Sequence, residues 1–186
     1  ENKGLNVRFW HRNPKTVNDM QMTRKHYLMP NIKFGHRVSF YYDIKEAIIG
    51  SKNIVLAIPS QNIREIISQI KNSINSSTCI INVAKGIERE TLKTVSEVVF
   101  DEIRDLSNYV TLSGPSHAEE VIANTPTAIV SASKNISAAN FVQKLFSTNK
   151  LRVYTNNDLI GVEIGGSAKN VIAIAAGFCD GFGYGD

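Results

Sequence analysis

The chain has 186 residues, 42% of them hydrophobic and 20% charged, with a formal net charge of +4. This is ordinary globular composition, enough for one full domain and part of another, and it excludes a disordered or low-complexity chain. The basic residues are scattered: Arg24 and Lys25 stand side by side, but no long basic block occurs, so the charge suits a small anion better than a nucleic-acid surface.

In chain order, residues 6–10 ("NVRFW") alternate and read as a strand, "HRNP" turns the chain near Pro14, and 16–24 forms a weak helix. A loop over 25–35 carries Tyr27 and Pro30. A short strand at 38–42 leads to Asp43 as N-cap of a helix over 44–49. The continuous apolar run "NIVLAI" (53–58) predicts a parallel strand buried on both faces. Ser60 then caps a helix with Ile63, Ile66, Ile67, Ile70 and Ile74 on one face. Strands follow at 79–83, 109–112, 127–131 and 151–154. They alternate with helices over 91–106 (Leu92, Val95, Val99, Ile103 and Leu106 inward), 116–123, 136–146 and 159–178. Such alternation implies right-handed βαβ units and a mostly parallel sheet, in which ligands bind beyond the carboxyl ends of the strands.

Cys79 and Cys179 lie in apolar stretches without metal-ligand spacing and read as two buried thiols of a reducing compartment. No apolar run reaches the roughly 18 residues of a membrane span, and no signal peptide is visible. The chain opens on Glu1 and stops at Asp186, and both ends read as cut. No GxGxxG follows a strand. "GFGYGD" (181–186) follows a helix and reads as a C-terminal turn, and Walker, GxSxG and metal-ligand patterns are missing.

The residues just past each strand are therefore the candidates for chemistry. Past the first stand His11 and Arg12: an arginine there can stack on adenine or accept a 2′-phosphate, or be a solvated turn residue. Pro59-Ser60 can line a cofactor or simply end a strand. Lys85 of "AKGIE" projects a point charge into the crevice or lies on the surface. "SGPSHAEE" (113–120) offers backbone N–H groups and a hydroxyl, a possible anion cradle. His117 has no acid or nucleophile at a useful spacing and reads as structural or cofactor-adjacent. Lys169 stands in the middle of "GVEIGGSAKNVIAIAAGF", where small residues permit close approach. Held there it loses hydration, which favours its neutral form and proton exchange near neutral pH; the alternative is a lysine snorkelling at a helix seam. Asn170 adds an amide beside it.

Taken together, "LNVRFWHRNP", "IVLAIPSQ", "NVAKGIE", "SGPSHAEEV", "PTAIV", "LRVYTNNDLIGVEIGGSAKNVIAIAAGF" and "DGFGYGD" resemble the NAD(P)-dependent glycerol-3-phosphate dehydrogenases of the bacterial type, over nearly the whole chain and in the family's order. The resemblance implies an enzyme that interconverts dihydroxyacetone phosphate and sn-glycerol 3-phosphate by hydride transfer, for phospholipid synthesis, with NAD or NADP as cofactor. It implies Lys169 as proton donor and acceptor. It places Lys85, Gly114, Ser116, Lys169 and Asn170 at the substrate, and His11, Arg12, Lys85 and Ala118 at the cofactor, with no metal. His117 falls where the family usually has Phe, which argues against a required histidine. The implied fold is α/β: a Rossmann-like, mostly parallel sheet flanked by helices, lacking the family's first strand and Gly-rich loop, plus the first helix of an all-α C-terminal domain. Residues 1–155 would be the dinucleotide-binding domain and 156–186 the start of the helical substrate domain, whose phosphate-holding Asp and Ser-Arg-Asn block would follow. A cytoplasmic homodimer without nucleic-acid partners or a membrane span is expected. Two alternatives stand beside this reading: another dehydrogenase of the same architecture, of 6-phosphogluconate or hydroxyacid type, and a non-catalytic nucleotide-binding module.

Overall fold

The computed structural model describes residues 3–29 and 31–184. Pro30 of the expected loop, and Gly185 and Asp186 of the expected C-terminal turn, lie outside them. The chain divides into two compact units, Glu1–Ser51 with Asn72–Ile74, and Lys52–Lys71 with Asn75–Asp186.

The first unit contains β1 (Val7–Trp10), α1 (Pro14–Thr23), β2 (Val38–Tyr41) and α2 (Ile44–Ile48). The strands pair in parallel, with Val7 opposite Val38 and Trp10 opposite Tyr41. Helix α1 starts earlier than its apolar pattern suggests, because Pro14 occupies a first-turn position that needs no N–H donor. The Asn13 side chain accepts the Lys15 N–H at 2.9 Å there. Arg24, in left-handed conformation at φ 55°, ends the helix. Its guanidinium then donates to the Val38 carbonyl at 3.0 Å and lies over the Phe40 ring. Asp43 caps α2 as expected, accepting from Lys45 N–H at 2.7 Å.

The second unit is a five-stranded sheet in the order β3-β4-β5-β6-β7. Its strands are β3 (Asn53–Leu56), β4 (Cys79–Asn82), β5 (Tyr109–Ser113), β6 (Thr127–Ala132) and β7 (Leu151–Asn156). Its helices are α3 (Ile63–Ile70), α4 (Val95–Glu102), α5 (Ala118–Ile122), α6 (Ile136–Phe146) and α7 (Leu159–Gly181). All pairs are parallel except β5 with β6. Residues 79–82 and 109–113 are buried throughout. Ile81, Val110, Leu112, Val142 and Val153 share one core cluster with Ile129 and Ala138.

Several sequence expectations need correction. β3 is an edge strand of its sheet, so Val55 is half-exposed and the strand is not buried on both faces. Ser60 opens a single 3-10 turn and makes no side-chain cap; α3 begins at Ile63 and buries Ile63, Ile67 and Ile70, whereas Ile74 lies beyond it. The helix expected over 91–106 shrinks to α4. Leu92 adopts φ 57° and is exposed, and the start moves to Thr94, which makes a capping box with Glu97. Glu97 accepts the Thr94 N–H at 2.9 Å. Ser116 precedes α5 and is not part of it.

Helix α7 departs from expectation in two ways. Only Leu159 and Glu163 among its residues are buried, so Cys79 is a buried thiol but Cys179, on the outer turns, is exposed. Burial raises the Cys79 pKa to about 11. At 23 residues and a mean hydropathy of 1.4, α7 is also long and apolar enough to cross a membrane, although the sequence shows no uninterrupted apolar run of that length. Its first half instead packs on β5 and β6.

Candidate active site

The side chains of β5 alternate across the sheet. Val110 and Leu112 enter the core cluster. Tyr109, Thr111 and Ser113 form a hydroxyl ladder on the opposite face, and α7 lies on that ladder. The carboxyl group of Glu163, 6% exposed, accepts from Tyr109 Oη at 2.8 Å and Thr111 Oγ1 at 2.8 Å. It also accepts from Ser96 Oγ at 2.6 Å and from the Ser96 N–H, in the first turn of α4, at 3.1 Å. Among the described residues no cation joins this network: hydroxyls and a helix N-terminus satisfy the carboxyl group. Burial, and then the charge of Glu163, raise the Tyr109 pKa well above its ordinary value, so the phenol stays a donor.

One turn further along α7, Gly166 faces Ser113. A Cβ at Gly166 would overlap the Ser113 hydroxyl and come within 3.8 Å of Lys85 Cγ. Helix α7 thus runs along β5 from Tyr109 towards Ser113 and carries Lys169 just beyond the strand's carboxyl end. The antiparallel β6 makes this possible. Because β6 and β7 run against β5, the chain leaving β7 starts α7 at the amino end of β5.

Lys85 reaches the same place from the loop after β4. Its Nζ donates to the Gly114 carbonyl at 2.9 Å. The Gly86 N–H donates to Ser167 Oγ at 3.0 Å, and Ser167 Oγ donates to the Glu163 carbonyl at 2.8 Å, so the loop is tied to α7. At its base, Arg64 of α3 makes a two-point ion pair with Glu88, at 2.9 and 2.8 Å. This guanidinium, then the Thr91 hydroxyl, lower the Glu88 pKa. Gly86 has φ 136°, and a side chain there would overlap Ser60 Oγ, so glycine lets the loops after β3 and β4 meet.

The result is a cleft of about 290 Å³ lined by Ser113, Gly114, Pro115, Val130, Val162, Gly165, Gly166 and Lys169. Gly114 has φ 153°, and a Cβ there would stand 3.0 Å from Ile129 Cα, so its carbonyl can face Lys85 only as glycine. Desolvation, and then the neighbouring Lys169 ammonium, lower the Lys85 pKa. The sequence singles out Lys169 for desolvation, and in the structure Lys169 is half-buried.

Lys85, Gly114, Ser116 and Lys169 gather at this end of the sheet. The Ser116 N–H donates to the Gly114 carbonyl at 2.8 Å. Ala118 opens α5 and is exposed, as is His117. Asn170 follows Lys169 but is exposed. His11 and Arg12 lie in the other unit, just after β1. The His11 ring packs on Tyr27 with centroids 5.0 Å apart, and Tyr27 stacks on His26. Burial, and then His11, lower the His26 pKa. Arg12, next in the chain, is exposed.

The mostly parallel sheet flanked by helices defines the general class: a Rossmann-like α/β protein. The chain belongs to the NAD-dependent glycerol-3-phosphate dehydrogenase family, whose N-terminal model matches residues 1–139 and whose C-terminal model matches residues 158–186. It is 46% identical over 185 residues to a glycerol-3-phosphate dehydrogenase (NAD(P)+) of Clostridium tetani, covering 99% of this chain and 53% of the relative. The crystal structure of glycerol-3-phosphate dehydrogenase from Coxiella burnetii superposes with a TM-score of 0.89 at 35% identity, over 100% of this chain and 57% of that one. A UDP-glucose dehydrogenase from Pyrobaculum islandicum, at 15% identity and a TM-score of 0.66 over 91% of this chain and 44% of its own, shares the fold alone. The chain spans about half the length of the curated relatives it matches, 53% of the Clostridium tetani protein.

Proposed function

We propose that this chain is the catalytic core of an NAD(P)-dependent sn-glycerol-3-phosphate dehydrogenase, which interconverts dihydroxyacetone phosphate and sn-glycerol 3-phosphate for phospholipid synthesis. The observation that carries the reading is the approach of Lys85, bonded to the Gly114 carbonyl, to the cleft that Lys169 lines, the two lysines delivered by different elements. Two adjacent ammonium groups repel each other and gain most from an anionic, oxygen-bearing ligand between them.

The residues present suit the coenzyme. Past β1, Arg12 and the His11–Tyr27 ring pair offer a cation and a flat surface to an adenosine moiety, and an arginine there accepts either coenzyme. Past β4 and β5, Lys85 and Ala118 are the second unit's own candidates for contact with a coenzyme. When bound, the nicotinamide supplies or takes up the hydride at the substrate's central carbon. Lys169 gives its proton to the oxygen of that carbon in reduction and removes the hydroxyl proton in oxidation. Lys85, held by the Gly114 carbonyl, adds positive charge where oxygen charge develops. Gly114, Ser116 and Asn170 complete the substrate contacts. In this reading residues 1–155 form the dinucleotide-binding domain and 156–186 begin the substrate domain, and the working form is a cytoplasmic homodimer.

The experiment is Lys169→Ala in the full-length protein. Turnover should fall by about 10²-fold or more, since general acid–base groups contribute on that scale, while coenzyme affinity changes little. Unchanged turnover of dihydroxyacetone phosphate would show that the proton comes from elsewhere. A substrate panel including 6-phosphogluconate and hydroxyacids separates the alternative dehydrogenases.

A further inference from the structure

Ser113 is a buried serine whose hydroxyl is not engaged by the described residues. It is 6% exposed and the last rung of the β5 ladder. The other two rungs, Tyr109 and Thr111, give their hydroxyls to Glu163. Among the described residues, no side-chain hydrogen bond involves Ser113 Oγ, yet no fully enclosed polar atom lacks a partner. The oxygen must therefore open onto the cleft that Ser113 helps to line. Facing the cleft, the oxygen keeps its donor and acceptor capacity for a ligand group to take up in place of water.

Gly166 is shaped to keep that oxygen accessible. Any side chain there would overlap Ser113 Oγ, and glycine in a helix interior costs about 1 kcal/mol relative to alanine. Ser113 lies next in sequence to Gly114, whose carbonyl holds Lys85, and one helical turn from Lys169 through Gly166.

We propose that Ser113 is a specificity-determining residue that hydrogen-bonds the terminal, unphosphorylated hydroxyl of a three-carbon hydroxyketone phosphate. The assignment rests on the function proposed above and follows from matching partners by charge. The reacting oxygen requires a group that can transfer a proton, which is Lys169. The phosphate requires cations or N–H groups. The remaining hydroxyl is neutral, both donor and acceptor, and its counterpart is a neutral group with the same two capacities. Ser113 is that group at this corner of the cleft.

The test compares dihydroxyacetone phosphate with hydroxyacetone phosphate, in which a methyl group replaces the terminal hydroxymethyl. A site built to bond a hydroxyl rejects the analogue lacking it. The kcat/KM ratio for the two compounds is measured in the full-length wild type and in Ser113→Ala, with thermal midpoints confirming that both are folded. The expected result is a ratio about tenfold smaller in Ser113→Ala, with KM for the coenzyme unchanged. Gly166→Ala, which displaces the hydroxyl without removing it, should shrink the ratio likewise. If activity on both compounds falls in parallel and the ratio stays put, Ser113 is merely structural and the assignment is overturned. A wild type that reduces neither compound overturns the proposed function and this assignment with it, an outcome distinct from an active enzyme whose ratio does not move.

Discussion

Lys85 and Lys169 hold like charges side by side, and the strain falls on Lys85, whose pKa is lowered first by desolvation and then by its neighbour. With a folded pKa below the unfolded one, the cost of keeping Lys85 charged is fully present at pH values below the folded pKa. It lifts as pH climbs from there towards the ordinary lysine value, because the folded chain sheds a proton that the unfolded chain keeps, so this site's contribution to stability rises with pH in that window. An anion between the lysines restores the charged form. Binding of dihydroxyacetone phosphate should therefore take up a proton when measured within that window, and affinity should fall as pH rises through it. Calorimetric titration in buffers of different ionisation enthalpy reads the uptake. Lys85→Met should abolish it and weaken binding by about tenfold or more, the scale of a charge-assisted hydrogen bond. At this scale the sequence is informative where a residue follows a strand, as Lys85, Gly114 and Ser116 do, and at Lys169 through the small residues around it. It fails for Glu163 and Ser113. A lone acid in an apolar helix and the last hydroxyl of a strand acquire meaning only when their faces meet. The one available signal was the alternation of Tyr109, Thr111 and Ser113 within an otherwise apolar strand.

Elements are held in place here by polar ties as much as by apolar packing. Glu163 joins α7, β5 and the first turn of α4 in one network. Glu163→Ala would remove the acceptor shared by three hydroxyls and an N–H, at a cost of about 1–3 kcal/mol for each donor left without another partner. Glu163→Gln should cost less, since one oxygen acceptor survives while the other is replaced by an amide that opposes donors. Urea unfolding followed by circular dichroism measures both, and equal stability of Glu163→Ala and wild type would show that packing alone seats the helix. The element boundaries that the sequence misplaces have local causes of the same kind. Thr94 with Glu97 starts α4 later than apolar spacing implies, and Pro14 starts α1 earlier. Capping chemistry sets where a helix begins, and hydrophobic periodicity does not register it.

Across the whole molecule, the alternation of strands and helices was legible because each buried strand reads as a short apolar run between turn residues. The direction of β6 was not, since an antiparallel strand of that length carries the same residues as a parallel one. Solvent access of the thiols was misjudged for a related reason: an apolar neighbourhood in sequence says nothing about whether that face of a helix is covered. The two cysteines now serve as independent reporters. With an aromatic disulfide reagent at neutral pH, Cys179 should react rapidly, whereas Cys79, buried and with its pKa raised to about 11, should react only as the sheet unfolds. Rapid release from both sites in the native protein would contradict the described burial.

The path of α7 along β5 acts as a measuring rod. Glu163 marks its zero against Tyr109 and Thr111, and Gly166 and Lys169 are graduations spaced three residues apart. Since each helical residue advances about 1.5 Å and turns about 100°, one residue inserted between Glu163 and Lys169 would swing the amine out of the crevice while leaving the anchor intact. The stretch between them can thus vary in side chain but not in length.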